Sequence, residues 1–244
     1  AMQKRLKAFL DLIKPDYVFH FSYRSDILPR TWNEITDKYC TIVFHSDEWR
    51  YSEFAKDYEK AFRHAITTYP SIYDRMEHPG RILSQWAANQ YYFKPLVDRK
   101  LLCSNMPADK TIAVSFVGQN HTNRSEMLTD PIIDCYGLGW PNGFVSFKEV
   151  GEIMAKSKIS LSLSMGVKGR QLKLRPFEIT ACNTLCLCEQ MPGIEEFFVP
   201  DKEIVLFDTK DEMEEKIKYY LDHYDERKTI AAAGYARTVK DHLW

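Results

Sequence analysis

The chain has 244 residues, 45% of them hydrophobic and 27% charged, which suits a globular protein able to bury a substantial core. Lysine and arginine total 33 against 34 acids, a formal net charge of -1, so bulk electrostatic attraction to nucleic acid or an anionic membrane is excluded and only a local basic patch remains open. No apolar run approaches the roughly 18 residues of a membrane span, and the opening residues lack a signal-peptide pattern.

Short β-branched or aromatic runs alternate with amphipathic stretches, the mark of α/β layering with a mostly parallel sheet. Residues 3–13 read as a helix with Leu6, Phe9, Leu10 and Ile13 on one stripe, ended by Pro15. Strands are predicted at 17–21, 41–45, 65–68 and 81–85, with a helix around 52–63. Residues 86–110 read as a connection. A second α/β unit then begins with a strand at 112–117 ending on Gly118, a helix near 124–128, and a strand at 132–136 closed by Gly137 and Gly139. Ser146 and Glu149 form a capping box for a helix at 147–156. Further strands are expected at 159–164, 185–189 and 203–207, with a short helix at 176–182. Thr209 and Glu212 cap a helix bearing Met213, Ile217, Tyr220 and Leu221 on one face. A last helix at 225–233 is expected to break at Gly234. The division is 1–95, 96–234 and a C-terminal segment 235–244.

Six cysteines occur at 40, 103, 135, 182, 186 and 188, with no C-x-x-C pair. Reduced core thiols of a cytoplasmic protein are expected, not a zinc site.

The segment Gly166-Val-Lys-Gly-Arg-Gln-Leu-Lys-Leu-Arg-Pro-Phe-Glu178 follows a strand and runs into a helix, the junction where α/β sheets hold ligands. Lys168, Arg170, Lys173 and Arg175 bring four cations within eight residues, ahead of the positive end of that helix. Guanidinium groups and free amides there suit a diphosphate. Glu178 can accept hydrogen bonds from both hydroxyls of a ribose. On residue chemistry alone, a solvated cationic loop with Glu178 merely complementing the helix dipole is equally open.

Lys-x-Arg-Pro-Phe-Glu at 173–178, Pro192-Gly-Ile-Glu-Glu-Phe-Phe198, Glu203-Ile-Val-Leu-Phe207 and Glu226-Arg-x-x-Ile-Ala-x-x-Gly234 resemble the C-terminal domain of group 1 glycosyltransferases. Ser115-Phe-Val-Gly-Gln119 with Arg124, and Asn89 with Phe93-Lys-Pro95, resemble the CgeB-like spore-maturation branch. The resemblance covers 111–242 well and 16–95 more weakly. It implies a GT-B-like fold of two Rossmann-like parallel-sheet domains facing across a cleft, the N-terminal one reduced, with a nucleotide sugar on the C-terminal one. By position, Glu178 binds the ribose, Lys173 and Arg175 the diphosphate, Gly118 and Arg124 lie against the phosphates, and Phe177 joins the donor site.

The implied activity is transfer of a sugar from a nucleoside-diphosphate donor, a UDP- or GDP-sugar, with no other cofactor. No two aspartates are separated by one residue, so the D-x-D metal motif is absent and metal-independent transfer is expected. In the N-terminal half, His45, Asp47 and Glu48 follow a strand and are candidate bases, and His20 and Trp86 are candidate sugar or acceptor contacts, as is His121 in the loop after Gly118 of the C-terminal half. Trp49 and Trp140 also stand near strand ends, where stacking on a base or sugar competes with core packing. The acceptor is open among sugar, protein, lipid carrier and modified nucleic acid. A nucleotide-sugar 2-epimerase and a non-catalytic nucleotide-sugar-binding surface-maturation protein remain alternatives.

Overall fold

The structure, a computed structural model of the chain, describes residues 2–21, 27–45, 58–84, 110–121, 124–166 and 169–243. The chain divides into two units, residues 1–85 and 86–244. The boundary expected near residue 95 lies outside the described residues.

The first unit carries α1 (Met2–Ile13), β1 (Tyr17–Phe21), α2 (Pro29–Thr36), β2 (Cys40–His45), a 3-10 turn (Glu59–Ala61), β3 (His64–Thr67), α3 (Pro70–Arg75) and β4 (Arg81–Leu83). All three strand pairings are parallel and the order is β1-β2-β3-β4, each strand lying beside the one before it. Right-handed crossovers running in a single direction put every connection on the same face of a sheet. That face is packed: Trp32, Ile35, Phe62, Val43 and Ala65 are all buried. The opposite face shows Tyr17, Phe19 and Phe21 exposed, with Phe19 and Phe21 against Phe44 at 6.3 and 5.2 Å between ring centroids. The stripe predicted on α1 is only partly used: Leu10 is buried, while Phe9 and Ile13 are exposed. Of the helix expected around 52–63, residues 52–57 lie outside the described set, and Glu59–Ala61 is a 3-10 turn.

The second unit contains β5 (Ile112–Val117), α4 (Arg124–Met127), β6 (Ile133–Tyr136), α5 (Phe147–Lys156), β7 (Ser157–Ser162), a small hairpin of β8 (Met165–Gly166) and β9 (Gly169–Arg170), α6 (Arg175–Ala181), β10 (Leu185–Glu189), β11 (Val205–Phe207), α7 (Lys210–Asp222) and α8 (Tyr224–Asp241). Its main sheet is parallel throughout in the order β11-β10-β7-β5-β6. Every residue of β10 is buried, so both faces of this strand are covered. Its core gathers Val114, Phe116, Ile159, Leu161, Leu185, Leu187, Val205 and Phe207, closed by Met213, Ile217 and Ile230 from α7 and α8. Ser146 accepts from the Glu149 amide while the Glu149 carboxylate accepts from the Ser146 amide, completing the expected capping box, and Thr209 caps α7.

The expected break at Gly234 is corrected by the structure: α8 runs unbroken from Tyr224 to Asp241. The glycine serves packing. A Cβ there would stand 2.2 Å from the Glu203 carbonyl oxygen and 3.1 Å from Thr180 Cγ2 on α6. The five described cysteines are free thiols, four of them buried.

Lys110, just ahead of β5, donates to the Ala155 carbonyl at 3.0 Å and to Thr184 Oγ1 at 2.7 Å. Burial pushes its ammonium down to about 8 from 10.5. A base whose pKa is lower in the folded state makes stability rise with pH between the two values, here from about 8 to 10.5, and leaves the charged form at a constant disadvantage below. The difference in urea midpoint between wild type and Lys110→Met is expected to shift in favour of wild type across that window. A shift worth the full window, on the order of 3 kcal/mol, is the upper end; parallel pH profiles would contradict the assignment.

Candidate donor site in the second unit

Strand order in the second sheet reverses around β5: the chain passes from β5 to β6 on one side, then returns to β7 on the other. In open α/β sheets the crevice beyond the carboxyl ends of strands at such a reversal receives ligands. The loop after β5 and the segment after β7 both leave the sheet at this end.

The β5 loop is held by its neighbour. The Gly118 amide donates to the Tyr136 carbonyl at 2.9 Å, and the Gly118 carbonyl accepts from Trp140 Nε1 at 2.9 Å. A Cβ on Gly137, whose φ is +123°, would stand 2.3 Å from the Gly118 carbonyl oxygen, so only glycine permits this approach. Trp140 is therefore engaged in building the loop, with its ring edge-on to Phe116 at 6.0 Å.

Arg124, 9% exposed, opens α4 behind this loop. Its Nη1 donates to the Gln119 carbonyl at 2.8 Å, its guanidinium lies 5.4 Å from the Phe116 ring centroid, and its buried Nε has no hydrogen-bond partner among the described residues. Burial depresses its pKa most, the Arg175 guanidinium adds to the effect, and Glu189 opposes it. Exposed His121 is likewise pushed down, by burial first and then by Arg124 and Lys173. Cations from two separate loops thus converge at the strand-order reversal.

The second loop leads into α6, with Pro176 in the first turn. Arg175 Nη1 pairs with Glu178 Oε2 one turn on. Glu178 is 8% exposed, and its burial raises the carboxyl above the usual range, Arg175 opposing. Lys173 donates to Gln171 Oε1 at 2.9 Å.

Two sequence expectations for this loop are corrected. Phe177 is wholly buried, with its ring 5.4 Å from Phe197 and 5.1 Å from Phe198. Successive helical residues are turned by about 100°, so Glu178 and Phe177 point to different surroundings, and Phe177 anchors the helix without reaching a ligand. Arg170 is drawn away by acids: it pairs with Asp208, donates from Nη2 to the Asp208 carbonyl at 2.6 Å, and has Nε 3.4 Å from Glu189. Glu189 in turn accepts from the Ser164 amide at 2.7 Å. Glu189 and Asp208 were not singled out in the sequence, although each is an acid closing a strand at this end of the sheet. Lys168 lies outside the described residues.

In the first unit, strand alternation puts His45, a candidate base, and His20, a candidate sugar or acceptor contact, on the helix-covered face. His45 is 1% exposed, its Nε2 3.5 Å from Glu59. His20 stacks on Phe62 at 5.7 Å and lies 4.8 Å from Trp32, and burial, then His45, depress its pKa. Asp47, Glu48, Trp49 and Trp86 fall outside the described residues. Among the described residues, no group of three His, Cys, Asp or Glu side chains is arranged to hold a metal ion, and no helix is long and apolar enough to cross a membrane.

Two parallel-sheet α/β domains, the second with its cationic crevice at a strand-order reversal, define a GT-B-like fold. The chain belongs to the glycosyl transferase-like family, whose model matches residues 115–244. Among solved structures, it is similar to a sucrose-phosphate synthase from Thermosynechococcus elongatus (TM-score 0.72, 13% identity, covering 100% of this chain and 73% of that one). It is similar also to Anabaena HepE in complex with UDP (TM-score 0.67, 8% identity, 96% and 77% covered). A third is the pneumococcal O-GlcNAc transferase GtfA in complex with UDP and GlcNAc (TM-score 0.68, 10% identity, 100% and 57% covered). At these identities the likeness is one of fold. A comparison with curated protein sequences found no match.

Proposed function

We propose that this chain is a glycosyltransferase that moves a sugar from a nucleoside-diphosphate donor, a UDP- or GDP-sugar, held at the crevice of the second unit. The observation that carries this reading is the convergence of Arg124 and Arg175, two guanidinium groups close enough to depress the pKa of the more buried one, beside a buried carboxylate at Glu178. Like charges held together in a partly desolvated site are stabilised by a bound anion, and a diphosphate supplies one. In this reading Arg124, Arg175 and Lys173 hold the diphosphate, Gly118 gives it close backbone approach, and Glu178 accepts from the ribose hydroxyls. UDP in two structures of similar fold supports a uridine donor. The order of the motifs supports the CgeB-like branch, and the free thiols support a cytoplasmic setting.

Glycosyl transfer breaks the anomeric C–O bond while negative charge grows on the departing diphosphate. Fixed cations aimed at that oxygen stabilise the transition state more than the ground state. The transfer is therefore proposed to be metal-independent. Release of nucleoside diphosphate from a panel of nucleotide sugars, offered together with sugar, peptide, lipid-carrier and nucleic-acid acceptors and followed with and without EDTA, tests both points. Undiminished turnover in EDTA is expected. Turnover abolished by EDTA and restored only by Mg²⁺ or Mn²⁺ would overturn metal independence, and no release from any donor would overturn the transferase reading.

A further inference from the structure

Helix α8 backs helix α6 along a single stripe. Gly234, Thr238 and position 242 recur every four residues, which places them on one helical face. Gly234 brings the α8 backbone against Thr180 and the Glu203 carbonyl. Thr238 Oγ1 and Thr180 Oγ1 are hydrogen-bonded at 2.6 Å. His242, just past the end of α8, closes the stripe. It is 4% exposed, with its ring edge-on to Phe177 at 5.2 Å and 84°, and 5.7 and 5.4 Å from Phe197 and Phe198.

His242 Nε2 lies 3.2 Å from the Phe197 carbonyl, which also accepts from Arg237 Nε at 2.9 Å. A carbonyl only accepts, so Nε2 carries the hydrogen and Nδ1 is the bare nitrogen of the neutral ring. Nδ1 is buried without a hydrogen-bond partner among the described residues. A proton there would put a charge against three phenylalanine rings with nothing to receive its hydrogen bond, a costly placement. The charged groups facing the ring are Arg237 and Asp241 from α8 and Glu203 from the segment before β11. Burial first, with Arg237 adding to it, outweighs the Phe197 carbonyl, Asp241 and Glu203 and lowers the imidazole pKa below 6.5. A lowered pKa means this contact is intact above about 6.5 and is lost as pH falls through the folded value.

We propose that His242 is a positioning residue for the donor-binding helix: its neutral ring wedges Phe177 in place and so fixes Arg175 and Glu178, and protonation at Nδ1 releases them. The proposal rests on the reading of Glu178 as a donor contact. It makes the end of the last helix a determinant of donor affinity without any contact to the donor.

The test compares full-length wild type, His242→Phe and His242→Ala. Hydrogen exchange of the α6 amides is measured at pH 7.5, and affinity for the tighter of UDP and GDP from pH 7.5 downward, with the His242 ring followed by NMR so that its protonation is read directly. His242→Ala is expected to speed α6 exchange at least tenfold with the β5 and β10 amides unchanged, and His242→Phe, which keeps an aromatic wedge, to restore protection. Wild type is expected to lose at least fivefold more affinity than His242→Phe as pH falls from 7.5 through the point at which the His242 ring takes up its proton; both proteins retain Glu178 and His121, so the difference isolates position 242. Unchanged α6 exchange in His242→Ala, equal loosening of α6 and the central strands, or identical pH dependence in wild type and His242→Phe would each overturn the proposal. If wild type binds neither nucleotide, the donor reading fails on that result alone, and the exchange data still decide whether His242 fixes α6.

Discussion

Glu178→Gln is expected to weaken nucleotide binding by roughly 100-fold while leaving the empty protein as stable as wild type, or more so. Two charge-assisted hydrogen bonds from a ribose diol contribute about 1.5 kcal/mol each, and a neutral amide cannot accept both in the same way. The stability half of the result follows from the raised carboxyl pKa, caused by burial against a weaker opposing pull from Arg175. A carboxyl that is harder to ionise when folded takes stability from the folded state as pH rises from its unfolded value of 4.5 to its folded value, so at neutral pH it is a net cost. Gln removes the charge and keeps the shape, while Arg175, whose side chain is 27% exposed, can hydrate. Melting temperature and calorimetric affinity of the two proteins check both halves. A variant that loses binding only because it unfolds would contradict the account.

Gly234→Ala is expected to lower the melting temperature by roughly 5–10 °C, from a loss of about 2–4 kcal/mol. In an ordinary helix interior the same change stabilises by about 1 kcal/mol. Here the new methyl would meet the Glu203 carbonyl oxygen at 2.2 Å, a backbone atom that cannot swing aside. Ala232→Gly, at an exposed position two residues earlier in the same helix, serves as the control and should cost only about 1 kcal/mol. Equal and small effects at both positions would mean that α8 does not lie this close to the Glu203 carbonyl.

The apolar runs 112–117 and 185–189 announced themselves as strands because a sheet covered on both faces needs no polar alternation, and the caps at Ser146 and Thr209 were legible from side-chain chemistry alone. Helices α2 and α3 were not. Each is short, led by proline, and begins without a side-chain cap, so neither periodicity nor capping marked it. Gly234 read as a stop because glycine ends many helices, and only the neighbouring Glu203 carbonyl reveals its packing role. The donor loop was legible as a charge cluster, but its division was not. Arg170 is neutralised by acids 19 and 38 residues away in sequence, Glu189 and Asp208, a pairing no local pattern encodes. Phe177 and Glu178 are neighbours in the chain, yet they point about 100° apart around one helix and meet different surroundings. His45 is a further case, since strand parity rather than strand end decides which face receives its ring.

The most direct measurement is a thermal-shift titration of UDP, GDP, ADP and TDP against wild type and Glu178→Ala. A ligand at 100 times its dissociation constant stabilises the folded state by about 2.7 kcal/mol, a rise of roughly 5–10 °C. The account predicts that rise for one nucleoside diphosphate with wild type, and little or none with the variant. No shift with any nucleotide, or the same shift in both proteins, would contradict it.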